Sequence, residues 1–236
     1  MNKKNIETKG KLLSEIAYEK IKEAIIISEL QPGQEVTESQ LADHFNFGKA
    51  PIRHALASLA KEGLILPQKR RGYKVTPLTM KDIHDVWAIR LLLETEAARL
   101  AAGNIDKKHL EKLDQSLKKT LVVRSITSQR AYLLANKEFH LSICRASGNP
   151  HLVKILEQLL DHMSRMLFLA IIVSNNVDRF EHGHTSLINS LADGDADLAA
   201  TITKEHLETG RESVLNSVMK SPVLLNVNIV PKVSAI

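Results

Sequence analysis

TESQLADHFNFGKAPIRHALASLAKEGLILPQKRRGYKVT, residues 37–76, is the stretch that decides the fold of this 236-residue chain. Thr37 followed three residues later by Gln40 is a capping-box pattern, and it predicts a short helix whose apolar positions are Leu41, Ala42 and Phe45. Asn46, Phe47 and Gly48 make a three-residue turn. KAPIRHALASLAKEGL then places Ile52, Ala55, Leu56 and Leu59 on one face of the next helix, which Gly63 ends in the C-cap manner. Two short apolar runs, residues 64–66 and 73–75, flank Gln68, Lys69, Arg70, Arg71 and Gly72. That arrangement predicts a two-stranded hairpin with a basic tip, a wing.

Working upstream, Ile16, Ile21, Ala24, Ile25 and Leu30 recur at three- to five-residue steps and predict an amphipathic helix over residues 12–29, stopped by Pro32-Gly33. A helix, a tight glycine-bearing turn and a second helix with a polar first turn is the arrangement that sets a recognition helix in the major groove. Between Lys49 and Lys74 the chain has seven basic residues, Lys49, Arg53, Lys61, Lys69, Arg70, Arg71 and Lys74, against one acidic residue, Glu62. A local charge of +6 suits phosphate neutralisation, each neutralised phosphate adding about 0.9 to the salt slope of binding. Lys49 and Arg53, one turn apart at the start of the recognition helix, are placed to reach guanine O6 and N7. Lys69, Arg70 and Arg71 are placed for phosphate or the minor groove.

Composition sets the wider frame. At roughly 100 to 200 residues per domain the length fits two domains, and 44% hydrophobic residues support packed cores. No run of about 18 uncharged apolar residues exists to cross a bilayer, and the basic N-terminus MNKKNIETKGKLL never reaches a signal-peptide apolar stretch, so the expected compartment is the cytoplasm. The single cysteine, Cys144, excludes an internal disulfide framework and any CxxC pair, and is expected to be a small buried hydrophobe. The net charge of +5 is uneven. Residues 1–77 hold 13 Lys and Arg against 9 Asp and Glu, whereas residues 78–236 hold 19 against 18 together with eight of the ten histidines. A basic small domain joined to a near-neutral, histidine-rich one suggests a nucleic-acid reader coupled to a metal- or small-molecule-binding unit.

The run from ESQLADHF through PIRHAL and AKEGL to RRGYKV resembles the DNA-binding domain of GntR-family bacterial transcription regulators, over essentially the whole first segment. The resemblance implies a winged helix-turn-helix over residues 1–77, in which Thr37, Ser39, Lys49, Ala50, Pro51, Arg53, His54, Lys69, Arg70, Arg71 and Gly72 face DNA. Three positions depart from the family pattern. Gly48-Lys49 replaces Ser-Arg, His54 replaces a Glu, and Ser39 stands where a basic residue is common. Lysine offers a point charge instead of a bidentate fork, so base reading at Lys49 is expected to be weaker or shifted to phosphate.

From Thr79 onward glycine is sparse and the apolar spacing stays near 3.6, which predicts an all-helical bundle over residues 78–220 with helices at 79–102, 106–122, 128–147, 150–173, 178–193 and 196–219. ANKEFH puts Asn136 and His140 at i and i+4 on one helix face, and His184 and His206 fall on the two last helices. Each histidine alone reads as an ordinary helix or surface residue. Together with the Asn136 oxygen the three imidazoles would make an open transition-metal site, most suited to zinc, with nickel or manganese as substitutes. His84, His109, His151, His162 and His182 are expected to be structural.

IRLLLETEAARLAA, NKEFHLSICRASGNP and HTSLINSLADGDADLAATITKEHL are similar to the FCD effector domain of the FadR-type branch of that family, over residues 79–219. The resemblance implies metal binding by Asp, His, His and His, at positions occupied here by Asn136, His140, His184 and His206. Asparagine keeps an oxygen donor but is neutral, so the metal should be held less tightly and the site should favour an anionic ligand. Small carboxylates are the effectors the resemblance implies. Arg90 matches an arginine near the family's pocket and would pair a carboxylate bidentately; a helix-surface pair with Glu94 is the other reading of the same residue. Arg165 and Asn189 are further pocket candidates.

Residues 221–236, SPVLLNVNIVPKVSAI, are β-prone, nearly uncharged and outside both resemblances. The expected protein is a ligand-responsive repressor, a homodimer on a double-stranded, pseudo-palindromic operator, because one recognition helix reads too few base pairs alone. A metal-ion sensor is the alternative. A metal-dependent enzyme is a more distant one, since three histidines with open positions also describe catalytic centres.

Overall fold

A computed structural model of the protein describes residues 12–121, 125–174 and 184–219. The chain divides after Pro77 into two compact units. The first contains α1 (Leu13–Ile26), β1 (Glu35–Val36), α2 (Glu38–Phe45), α3 (Lys49–Lys61), β2 (Ile65–Gln68) and β3 (Gly72–Val75). Helix α2 starts at the predicted capping box: Thr37 Oγ1 accepts from the Gln40 amide while Gln40 Oε1 accepts from the Thr37 amide. Asn46 closes the turn in the left-handed conformation at φ 56°, which asparagine tolerates better than most residues. Helices α1 and α2 both pack on α3. Ile21, Ile25, Leu41, Ile52, Leu56 and Leu59 form one buried cluster with Leu64, Ile65 and Val75 from the wing.

The wing is the central and outer part of a three-stranded antiparallel sheet of order β1-β3-β2, with Gln68 opposite Gly72 and Glu35 opposite Lys74. The two-residue β1 was not foreseen, being too short to carry an alternation signal. Gly72 is required where it stands: its φ is +90°, and a Cβ there would lie 2.6 Å from the Val36 carbonyl oxygen.

Every regular element among the described residues of the second unit is a helix: α4 (Met80–Ala101), α5 (Lys107–Leu121), α6 (Ile126–Ala146), α7 (Pro150–Val173), α8 (Thr185–Ala192) and α9 (Ala196–Met219). The bounds follow the predicted ones closely; the first part of the helix expected at 178–193, and the tail 221–236, lie outside the described residues. Thr79 caps α4 through Asp82, and Asn149 caps α7 with Pro150 at its first position. Helix α4 packs most extensively on α9 and also meets α6 and α7, while α5 packs on α6 and α8. Helices α4 and α8 finish against each other. Gly103 (φ +81°) and Gly194 (φ +75°) follow their two ends, the Gly103 amide donates to the Leu191 carbonyl at 2.8 Å, and a Cβ on either glycine would come within 4 Å of the other's backbone.

Candidate functional site

In the first unit, α3 presents Lys49, Ala50, Arg53 and His54 to solvent, and the wing tip presents Lys69, Arg70 and Arg71. Pro51 and Gly72 are half-buried, and Ser39 on α2 is exposed. The exposed hydroxyl of Thr37 is engaged within the capping box, hydrogen-bonded to Gln40 on both its donor and acceptor sides. Arg70 sits at φ 65°, so the tip turns through a strained residue, and the Arg71 amide closes the turn onto the Gln68 carbonyl. Exposed cations on a helix N-terminus and a hairpin tip, above a shared apolar core, form a surface suited to a phosphate backbone and the groove between.

In the second unit, Asn136, His140, His184 and His206 surround one cavity of about 40 Å³, together with Trp87, Arg90, Tyr132, Met163 and Leu167. The i to i+4 spacing on α6 brings Asn136 and His140 to it, His184 enters from the residue that precedes α8, and His206 from α9. The His206 ring centroid lies 4.6 Å from that of His184 and 5.6 Å from that of His140. Among the described residues no three His, Cys, Asp or Glu side chains stand as a preformed metal cage.

Two buried carboxylates orient the imidazoles. Glu94 Oε2 lies 2.6 Å from His140 Nδ1 while its Oε1 accepts from Arg90 Nε at 2.5 Å. Asp114 Oδ1 lies 2.8 Å from His184 Nδ1, and its Oδ2 pairs with Lys118. Burial pushes the Glu94 carboxyl up, but the charge of Arg90 and the hydrogen bonds from His140 and Arg90 outweigh it and hold the group at about 2. Asp114 is likewise held at about 2, because hydrogen bonds from His184 and Lys118 overcome its desolvation. An ionised carboxylate only accepts, so Nδ1 of each histidine is the donor. The lone pair of a neutral ring then belongs to Nε2. Burial lowers the His184 pKa against the opposing pull of Asp114, favouring that neutral form. Its Nε2 is buried with no hydrogen-bond partner, a state that normally calls for a ligand, an ion or a water. Carboxylate on one imidazole nitrogen and a free lone pair on the other is the arrangement that metal-binding histidines use, so the donor set fits a transition metal even though the cage is not preformed.

Arg90 borders the cavity at 3% exposure, its guanidinium 5.4 Å from the Trp87 ring centroid. The pair with Glu94 exists, but it is buried, not a surface pair, because both residues occupy the apolar stripe of α4 with Ile83, Trp87, Ala97 and Ala101. Arg165 and Asn189 are not brought to the cavity. On α7 the lining residues are Met163 and Leu167, and Arg165, fully buried, falls on another side of that helix. Its guanidinium is lowered to about 10 by burial, with Asp82 opposing. On α8 the inward positions are Leu187, Ile188 and Leu191, which leaves Asn189 exposed. Cys144 is buried and its thiol is pushed up to about 12, chiefly by desolvation.

Sequence reasoning missed Asp114, Tyr132 and Trp87, and took Glu94 only as a partner of Arg90. A signal existed for Asp114. Leu110 and Leu117 are buried on α5, and Asp114 sits between them at the i+4 position of the same stripe. An acidic residue on an apolar stripe asks for a buried partner.

Residues 85–209 match the family model described as FCD domain, and residues 13–75 match that of bacterial regulatory proteins, gntR family. Over 153 residues the chain is 33% identical to the HTH-type transcriptional regulator YdhC of Bacillus subtilis (strain 168), covering 64% of this chain and 68% of the relative. It is 30% identical over 176 residues to a probable D-xylose utilization operon transcriptional repressor of Paenarthrobacter nicotinovorans, covering 74% and 76%. Among solved structures, E. coli McbR/YncC shares the fold at a TM-score of 0.70 and 20% identity, over 87% of this chain and 98% of the other.

Proposed function

This chain belongs to the GntR family of bacterial regulatory proteins and carries an FCD domain, a DNA-binding transcription regulator rather than an enzyme, and from that premise we propose that a small carboxylate bound at the histidine cavity controls its affinity for an operator. The observation that carries the proposal is a buried arginine beside three imidazoles around one cavity, one of them with an unpartnered Nε2. Arg90 engages Glu94 through Nε, which leaves its Nη groups for a ligand carboxylate. A divalent transition metal, zinc foremost with nickel or manganese as substitutes, would be held by Asn136, His140, His184 and His206. When bound it would supply a Lewis-acidic anchor for an anionic effector. With Asn136 in place of a carboxylate the four donors are neutral, so an anion is favoured to complete the charge.

The protein acts in this reading as a repressor in the cytoplasm, paired as a homodimer through the helical unit on a pseudo-palindromic site. A repressor named among its relatives supports the direction of control, and the exposed Ile89, Leu92 and Leu134 offer apolar surface for pairing. The effector shifts operator affinity only through differential binding to the arrangements competent and incompetent for DNA.

The test is a thermal-shift screen of small carboxylates on zinc-loaded and chelator-treated protein, followed by operator titration with each stabilising compound. A ligand stabilises the state it binds, by about 2.7 kcal/mol at a hundredfold excess over Kd. A carboxylate that raises the melting temperature and changes operator affinity supports the reading. If zinc alone changes operator affinity and no carboxylate adds to it, the protein is an ion sensor; if neither zinc nor any carboxylate acts on melting or DNA, the cavity is not the control site.

A further inference from the structure

On the DNA-facing unit, Arg53 is exposed but already engaged. Its Nε donates to Oε1 and Oε2 of Glu38 at 3.0 and 3.1 Å, and its Nη2 donates to Oε2 at 2.8 Å. Glu38 is the first residue of α2 and Arg53 lies in the second turn of α3, so the contact spans the two helices of the helix-turn-helix. The carboxylate side chain is 24% exposed and the guanidinium 64%. A carboxylate beside a polyanion is unfavourable unless its charge is answered locally, and here Arg53 answers it.

The chemistry of the fork decides what remains. A guanidinium carries five N–H donors in one plane. With Nε–H and one Nη2 hydrogen given to Glu38, the donors left for DNA are those at the far end, on Nη1 and Nη2. An arginine can meet the O6 and N7 edge of guanine either end-on, through both Nη groups, or side-on, through Nε and one Nη. Only the first is compatible with the Glu38 contact. An unheld arginine samples many rotamers and settles on the nearest phosphate, which adds affinity without sequence information.

We propose that Glu38 is a positioning residue for DNA reading, locking Arg53 with its Nη1 and Nη2 end outward so that it reads a guanine edge end-on. The proposal rests on Arg53 being a base contact. Glu38 thereby raises discrimination, not overall attraction: its negative charge disfavours every DNA equally, and the orientation it imposes favours one.

The probe is the tightest duplex that the wild-type full-length chain selects from a randomised library, compared with a duplex of scrambled sequence at the same salt. Glu38→Ala is expected to weaken the selected duplex roughly tenfold, within the range of one good bidentate contact, and to leave the scrambled duplex unchanged or slightly tighter. Arg53→Ala should weaken the selected duplex at least as much, and the double variant no more than Arg53→Ala alone, since the two residues act as a unit. Glu38→Asp, which keeps the charge on a shorter stem, should recover part of the loss. Should Glu38→Ala lower the melting temperature, Glu38→Gln at unchanged melting temperature decides, with a loss on the selected duplex alone as the expected result. Glu38 variants that bind the selected duplex as tightly as wild type, or lose both duplexes in parallel, overturn the positioning role. Arg53→Ala with undiminished binding overturns the base-contact reading together with it.

Discussion

Nδ1 of His184 stands 2.8 Å from Oδ1 of Asp114, tying the residue that opens α8 to the middle of α5. The pairing spans 70 positions of sequence and fixes which nitrogen of the imidazole faces away from the carboxylate. Asp114→Asn keeps the shape but removes the charge that selects the tautomer. Zinc affinity, read by competition against a chromophoric chelator, should fall about 10- to 100-fold, as outer partners of metal-binding histidines typically cost. Wild-type affinity in that variant would show that Asp114 serves only packing.

Asn136→Asp should act in the opposite direction. A fourth, anionic donor at the cavity ought to raise zinc affinity by about tenfold or more in the same competition assay, since it answers part of the ion's charge. It should also weaken any carboxylate effector, because the new charge repels it. Both effects are read on one purified variant, and an unchanged zinc affinity would remove Asn136 from the donor set.

The acid limb of the stability curve carries a sign. Glu94 and Asp114 are held at about 2 against ordinary values of 4.5 and 3.8. The unfolded chain therefore takes up protons before the folded one as pH falls. Their contribution is fully present above about pH 4.5 and is lost progressively towards pH 2. Urea denaturation of chelator-treated protein should show falling stability in that window. Glu94→Gln should flatten the limb while lowering stability at neutral pH, because Arg90 is then left buried beside a neutral partner.

Gly72→Ala is expected to destabilise the DNA-binding unit by about 1–3 kcal/mol, the usual range for a strained backbone conformation. The alanine would need φ +90° and would place its Cβ against the Val36 carbonyl. Thermal unfolding followed by circular dichroism measures the loss. Arg70→Gly, at φ 65° on the wing tip, should leave stability equal or higher while weakening DNA.

Single alanine substitutions at Lys69, Arg70 and Arg71 should each lower the salt slope of DNA binding by about 0.9 if they neutralise one phosphate apiece. Arg53→Ala should instead weaken operator binding with little effect on the slope or on folding. Titrations at four salt concentrations separate the two classes.

What was legible in the sequence was local. The Thr37–Gln40 box, the Asn46 turn and Gly63 after α3 each involve residues within four positions of one another, and their chemistry is decided without the rest of the fold. The histidines and Asn136 were found because one helix turn and a resemblance located them. The rotation of a helix about its own axis was harder to read where nearly every face is buried, as on α7, and so Arg165 was placed with the pocket although Met163 and Leu167 are the residues that line it. Asn189 was recoverable, since Leu187, Ile188 and Leu191 already define the inward stripe of α8. Glu94 and Asp114 as imidazole partners were beyond reach of spacing alone, because each contact joins different helices.

The meeting of Gly103 and Gly194 gives the cavity a gauge. Helix α4 runs from that junction back to Glu94 and Arg90, and α8, eight residues or about 12 Å long, runs back to His184 at its start. The two helices are legs of a caliper whose pivot is a pair of left-handed glycines and one amide-to-carbonyl hydrogen bond. Deleting a single residue from α8 would shorten one leg by about 1.5 Å and turn His184 by roughly 100° about the helix axis, swinging the imidazole off Asp114 with every side chain of the site intact. The far ends of the two helices that carry Arg90 and follow His184 are thus joined by two residues that carry no side chain at all.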